Sequence, residues 1–559
     1  MKENKIKQLS AFDVIAAPIT FILTHAFFTK LFVWNYEWEF GICYLLIFIF
    51  ATIYISSKTG FKKTAVFPAA VAILITLSVF LHGMSELFFL ALVFLIFVSG
   101  YYCLCLTGCA KNSSGSYFFL LDIFRSEVSV PWLNIFLPLF SLKTLKKDTK
   151  KNKKLLDKKT LSIALGMLCA IPVLLVVVPL LLDSDAAFES VMGTAFSKIR
   201  ELLEKFFENN ISSFWNDFLF NFLFIFPFSL IFAPYIFSVM FSFRHGVYRD
   251  DYKNTAPSFS SLRKVSVSVF CGFLGVISIV YLVYLFSQTA YFFSAFSGQL
   301  PNGMKITVTE YARRGFFEMA KIAGVNLCLI AVSVLFSKRN GAKLHRAVRY
   351  LCLFLSVFTV ILISTSVSKI ILYMAQMGLT EKRIYVFLFD IVLIVTFVAV
   401  IIRLFRESFP YMKVILSFAC IVFTLLNLVN VRGIIASYNT QMFLEGKIEA
   451  EFASDIYNYW FNEIEHLDKL AQCDNKIIST QAKYKIGSDM VGMFEKGKIV
   501  FNEGDITAVE CFDQYKAMIY CKENEKRFFE YYKIYKESEE DLYNNLTDLT
   551  DIENIEVQK

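Results

Sequence analysis

Histidine is scarce in this chain. The five that occur, His25, His82, His245, His345 and His466, are scattered, and none falls in the His-Glu-x-x-His pair that sets two imidazoles on one helix face for zinc. No Gly-rich loop ending in Lys-Ser or Lys-Thr is present to cradle phosphates, so the chain is no ATPase by itself. A Gly-x-Ser-x-Gly elbow and the kinase motif set are missing too. No two acids lie together deep in one apolar run, as an intramembrane aspartyl protease needs. Glycine (23) and proline (11) are few for a transporter built on broken, closely crossing helices, and no inverted repeat is visible. Most of the twelve cysteines sit in apolar runs, where a thiol behaves as a small hydrophobe. Cys103, Cys105 and Cys109 cluster, but without metal-ligand spacing or a neighbouring His or acid. These absences point to no metal, no cofactor and no catalytic residue, and away from an enzyme.

Charge is the other shortage. Asp, Glu, Lys and Arg supply 19% of 559 residues against 56% hydrophobic, and mean hydropathy is +0.54. That is too apolar for a soluble protein of this size. Phenylalanine (62) and tyrosine (27) are abundant, as lipid-facing filler under a biased composition or as an aromatic-lined path. Apolar windows long enough to cross a bilayer core of ~30 Å recur about eleven times, near 11–33, 39–57, 64–82, 85–108, 160–182, 213–242, 265–288, 314–336, 350–373, 384–403 and 412–430. The first is longer than a signal-peptide core and lacks a small-x-small exit. Basic residues alternate between connections: the N-terminus and every second loop hold 30 Lys and Arg, the other loops 9. Basic loops stay cytoplasmic, so the expected topology is N-terminus inside and C-terminus outside. The fold class expected is all-α: a polytopic transmembrane helical bundle over 1–430 with a small, mostly helical C-terminal domain over 431–559.

Three connections exceed turns. Residues 112–142 are apolar but carry Asp122, Arg125 and Glu127, which favours a re-entrant or interfacial segment; if it spans, the tail changes side. The Lys-rich run Lys143–Lys159 anchors topology and suits anionic lipid. Residues 186–209 read as an amphipathic helix lying on the membrane. In the next span Pro227 and Pro234 are each expected to bend the helix. The tail reverses the charge balance, with 15 basic against 25 acidic residues over 431–559. It shows helical periodicity in 451–472 and 508–536, and a break near Gly497–Gly504 with a short strand at Ile499–Phe501. Cys473, Cys511 and Cys521 fall here, an odd count for disulfides on an outer face. The net charge of +8 is no argument for nucleic acid.

The densest polar feature of the membrane part is Thr309-Glu310-Tyr311-Ala312-Arg313-Arg314-Gly315-Phe316-Phe317-Glu318, followed by Lys321. On a helix starting near Thr309, Tyr311, Arg314, Glu318 and Lys321 share a face. Arg314 to Lys321 spans about 10 Å of rise, so charge enters the hydrocarbon layer. Such groups face a bundle interior or wet cavity and seek partners; Asp390, Asp217 and Glu86 are the acids available, and Lys369 is a further buried charge. Two uses compete: an interhelical ion-pair lock, or an outward-opening pocket in which Arg313, Arg314 and Lys321 receive a carboxylate or phosphate. Contact with lipid headgroups is a third.

The segment Tyr311–Glu318 resembles the hallmark of a family of bacterial multi-pass membrane proteins catalogued as a domain of unknown function. Asn430-Val431-Arg432-Gly433-Ile434-Ile435-Ala436-Ser437-Tyr438-Asn439, with Gly446-Lys447-Ile448 after it, resembles that family's Asn-x-x-x-Ile-Ile-Ala-x-x-Asn stretch. The tail matches the family pattern poorly at Tyr457–Trp460 and Asp468–Leu470. The resemblance implies a bacterial plasma-membrane location and no activity. With the catalytic inventory empty, the function expected is envelope sensing or scaffolding through the tail and an unknown protein partner. The alternative is a transporter or lipid-handling permease using the charged helix.

Overall fold

The computed structural model describes residues 10–32, 37–83, 87–108, 124–129, 131–132, 135, 221–246, 263–287, 308–340, 343–448, 461–491, 494–495, 498–499 and 511–538; over 308–315 only the backbone is described. Almost all of this is helix. Among the described residues, ten helices are long and apolar enough to cross a membrane: α1 Ala11–Phe32, α2 Glu37–Thr59, α3 Val66–His82, α4 Phe88–Thr107, α5 Phe226–His245, α6 Val267–Ser287, α7 Val308–Phe336, α8 Arg346–Met377, α9 Glu381–Phe405 and α10 Tyr411–Leu428. The protein is an all-α polytopic bundle. The window at 160–182, the amphipathic segment 186–209, the run Lys143–Lys159 and most of 112–142 lie outside the described residues.

Two compact units are present. The first comprises residues 1–69, 96–110 and 122–252. In it α1 packs on α2 and α5, and α2 on α5, around Phe40, Tyr54, Ile55 and Phe243. Helix α1 opens with a capping box: Ser10 N donates to Asp13 Oδ2 at 2.9 Å and Asp13 N to Ser10 Oγ at 3.3 Å. Pro227 sits in the first turn of α5, directly after the π-helical turn Asn221–Ile225. Pro234 alone lies inside.

The second unit comprises 70–95, 111–121 and 253–559. Its centre is α8, packed against α6, α7 and α9 through Val348, Cys352, Leu355, Phe358, Leu362 and Ile363. Asn326, fully buried on α7, ties three helices: its Nδ2 donates to Thr359 Oγ1 at 2.8 Å and its Oδ1 accepts from Tyr281 at 2.9 Å. Each such bond is worth about 0.6 kcal/mol inside a membrane protein. The outward faces are apolar, as on α6, where Val276, Ile279 and Val283 are more than half exposed. That suits lipid as solvent.

After α10 come α11 (Val431–Leu444), α12 (Ile464–Ala471), α13 (Lys476–Asp489), α14 (Phe512–Glu523) and a last helix over 525–538. Asn430 caps α11 by accepting from Gly433 N at 2.7 Å, and Asn475 caps α13 through Ile477 N and Ile478 N. Their core holds Leu467, Leu470, Ile478, Ala482, Ile486, Cys521 and Phe528. Helix α13 was not legible as a helix: its sequence is rich in Ser, Lys and Thr, and only the four-residue steps Ile478, Ala482, Ile486 bury it. The strand falls earlier than expected, as an antiparallel pair of Phe494–Glu495 with Lys498–Ile499. Cys473, Cys511 and Cys521 are free thiols.

Candidate functional site

The charged helix is helical throughout, so its backbone sets Tyr311, Arg314, Glu318 and Lys321 along one face of α7. The side chains of Tyr311, Arg313 and Arg314 lie outside the described residues, as do Glu86 and Asp217. Glu318 and Lys321 are exposed, and no ion pair joins them. Lys369 on α8 is half-buried with Glu318 in electrostatic range. Asp390 on α9 is fully buried, and neither carboxylate oxygen has a hydrogen-bond partner. It therefore pairs with neither lysine.

Polar side chains converge elsewhere in the second unit, where α3, α9, α10, α11 and α14 meet. His82, at the last position of α3, places Nε2 2.8 Å from the carbonyl oxygen of Leu428 and Nδ1 2.6 Å from Asp513 Oδ2. Leu428 ends α10, so its carbonyl has no partner within the helix. A carbonyl can only accept, and so can an ionised carboxylate. Both ring nitrogens must then carry hydrogen, and the geometry is that of an imidazolium bound to a carboxylate. Asn430 Nδ2 donates to the same Asp513 oxygen at 2.7 Å, and Lys516 Nζ stands 3.7 Å from the other.

Beside this pair, Arg432 Nε meets Glu381 Oε1 at 2.8 Å, and Tyr385 donates to Glu381 Oε2 at 2.9 Å. His82, Asp513, Asn430, Arg432, Glu381 and Tyr385 line a cavity of about 50 Å³. A water needs roughly 10–15 Å³ of such space and a drug-sized ligand roughly 300 Å³ or more. The cavity has room for a few waters or a small ion and is too small for a drug-sized ligand.

The Asn430–Asn439 stretch is the frame of this site. Asn430 caps α11 and reaches Asp513. Nine residues on, Asn439 closes the α8–α9 turn: its Oδ1 accepts from Leu379 N at 2.7 Å and its Nδ2 donates to Leu379 O at 2.9 Å. Gly378 in that turn has φ +75°, and a Cβ there would lie 2.6 Å from Asn439 Oδ1. Ala436 is buried between them in sequence.

The first unit carries its own buried charges. Asp13 accepts from Tyr54 at 2.6 Å and from His245 Nε2 at 3.0 Å, and stands 3.1 Å from Arg244 Nε. Arg244 also donates to Tyr54 O and Ser57 Oγ and lies over the Phe12 and Tyr54 rings. Lys58 Nζ donates to His245 Nδ1 at 3.0 Å, so this histidine is held neutral, with its proton on Nε2. Nothing in the sequence singled out Asp13 or Arg244. Glu127 is buried against Gly100 of α4, where a Cβ would collide with its carboxylate. Tyr235 donates to Glu127 O at 2.6 Å and Oε2 at 3.2 Å.

No group of His, Cys, Asp and Glu among the described residues could hold a metal ion. The arrangement ties the C-terminal helices to the ends of α3 and α10 within one compact unit. Fold and site together define a polytopic α-helical membrane protein. The chain belongs to a family described as a domain of unknown function, DUF4153, matched over residues 69–459. The Tyr311–Glu318 and Asn430–Asn439 segments both lie inside that range, whereas Asp513 lies beyond it. No curated protein and no solved structure matches the chain.

Proposed function

We propose that this integral membrane protein is a non-catalytic sensing or scaffolding protein of the bacterial plasma membrane, with its N-terminus inside. Its C-terminal domain binds an unknown protein partner, and Lys143–Lys159 meets anionic lipid. The observation that carries the reading is the His82–Asp513–Asn430 contact, which seats a helical domain on span ends by ionic hydrogen bonds. A seat made of one titratable pair can be held or released, which suits a domain that relays a state rather than performs chemistry. Deleting 451–559 is expected to leave the spans inserted and extractable while abolishing complementation of a chromosomal deletion's envelope phenotype. Full complementation by the shortened chain would sink this reading.

Asp390, Lys369 and Glu318 favour a second reading, a transporter or lipid-handling permease with an anion-receptive pocket on α7 lined by Arg313, Arg314 and Lys321. Cysteines placed at 321 and 390 are then expected to react with a polar thiol reagent from the aqueous phase. Complete protection of both counts against transport.

A further inference from the structure

Asp390 lies nine residues into α9, about 13 Å along a helix of 1.5 Å rise, and is 0% exposed. Both its oxygens are unpartnered, and so is the buried Ser366 hydroxyl of α8, which is its polar neighbour. Two orphaned polar side chains thus face each other across the α8–α9 contact of the second unit. An ionised carboxylate left without a partner at this depth costs several kcal/mol, on the order of the penalty for any uncompensated buried charge. Among the described residues no charged side chain pairs with it. Lys369, one turn beyond Ser366, has Glu318 of α7 as an electrostatic partner. Lys321 of α7 is exposed, α10 carries its one lysine, Lys413, in its first turn, and Arg432 of α11 is committed to Glu381. Glu381, Lys382 and Arg383 of α9 itself stand at that helix's first turn. One carboxyl and one hydroxyl are too few oxygens for an alkali or divalent cation, which takes about six. They suffice for a proton.

We infer that Asp390 and Ser366 form an intramembrane proton-binding site, in which the neutral carboxylic acid lies against the serine hydroxyl and seals the α8–α9 contact. The step is a single protonation: one O–H bond of a hydronium ion breaks, the carboxyl O–H bond forms, and water leaves. Once formed, the acid O–H has the Ser366 oxygen as its acceptor. The serine O–H, without a partner in this structure, then turns to a carbonyl one turn earlier on α8, the bond that Ser356 and Thr359 make with Cys352 and Leu355. Lys369 lies about 12 Å from the C-terminal end of α8 and the exposed Glu318 about 15 Å from the N-terminal end of α7; the turn after α8 leads directly into α9, so the helix end nearer to Asp390 is the one beside Lys369. The site makes α8–α9 packing depend on a proton rather than on the C-terminal domain, so it stands whether or not the scaffold reading does.

The test is labelling of the full-length protein in membranes with dicyclohexylcarbodiimide, an apolar reagent that adds to protonated carboxyls, with peptide mass spectrometry as readout. Asp390 is expected to be modified near pH 6, to lose modification as pH rises, and to resist a water-soluble carbodiimide. Asp390→Asn abolishes the adduct, and Ser366→Ala moves the pH of half-labelling while Ser356→Ala does not. A carboxylic C=O infrared band that disappears in Asp390→Asn is the second readout and needs no reagent access. Absence of both signals in the wild-type protein overturns the proposal. So does protection of Asp390 by sodium at constant pH, which would make the site one for a metal cation.

Discussion

Asp468 shows how much one residue carries in the C-terminal domain. It is fully buried, and it accepts from Tyr520 at 2.8 Å, from Tyr531 at 3.2 Å, from Gln472 at 3.0 Å and from Arg527. Those donors come from α14, the last helix and the residue that ends α12, so the carboxylate replaces the water they would otherwise bind. Removing one side of such a buried pair costs about 3–5 kcal/mol. Asp468→Ala is expected to unfold α12–α14 selectively, seen as lost amide-exchange protection there with α8 and α9 unchanged.

Among the elements, turns and crossings are set by glycines at close approach. Gly487 on α13 faces the helix over 525–538, where a Cβ would sit 2.6 Å from Tyr535 Cβ and 2.7 Å from the Tyr531 carbonyl oxygen. The carbonyl belongs to backbone and cannot swing aside. Gly487→Ala is expected to cost about 1–3 kcal/mol, read as a lower denaturation midpoint of the C-terminal helices. The α8–α9 turn depends on Asn439 in the same way. Asn439→Ala strands a backbone N–H and C=O at Leu379 and should cost about 1–3 kcal/mol, together with faster proteolysis at residues 377–381; equal cleavage rates would mean the turn holds itself. The Asn-x-x-x-Ile-Ile-Ala-x-x-Asn stretch was recognisable as a pattern because its residues are contiguous. What the asparagines bind was not, since Leu379 is 60 positions away from Asn439.

For the molecule as a whole, the question is what seats the C-terminal helices. His82 and Asp513 are 431 positions apart, and nothing local to either one marks the contact. His82→Ala and Asp513→Asn should each speed amide exchange in α14 several-fold. The double variant should add little to either single change, because both remove one interaction. Additive effects would show that the two side chains act separately.

Hydropathy is a local property, so the sequence determined the membrane class and the run of apolar helices: a span must satisfy its backbone within itself and show lipid an apolar face wherever its neighbours lie. The Tyr311–Lys321 helix was legible for the same reason, as charge out of place in an apolar run. Which buried charges meet is a different kind of fact. Asp13 with Arg244 and His245, Asp468 with Arg527, and Asp390 with Ser366 come from separate helices, and only folding brings them within a few ångströms. In an interior of low dielectric that distance decides whether a charge is paired, neutral or excluded, and nothing along the chain encodes it one residue at a time.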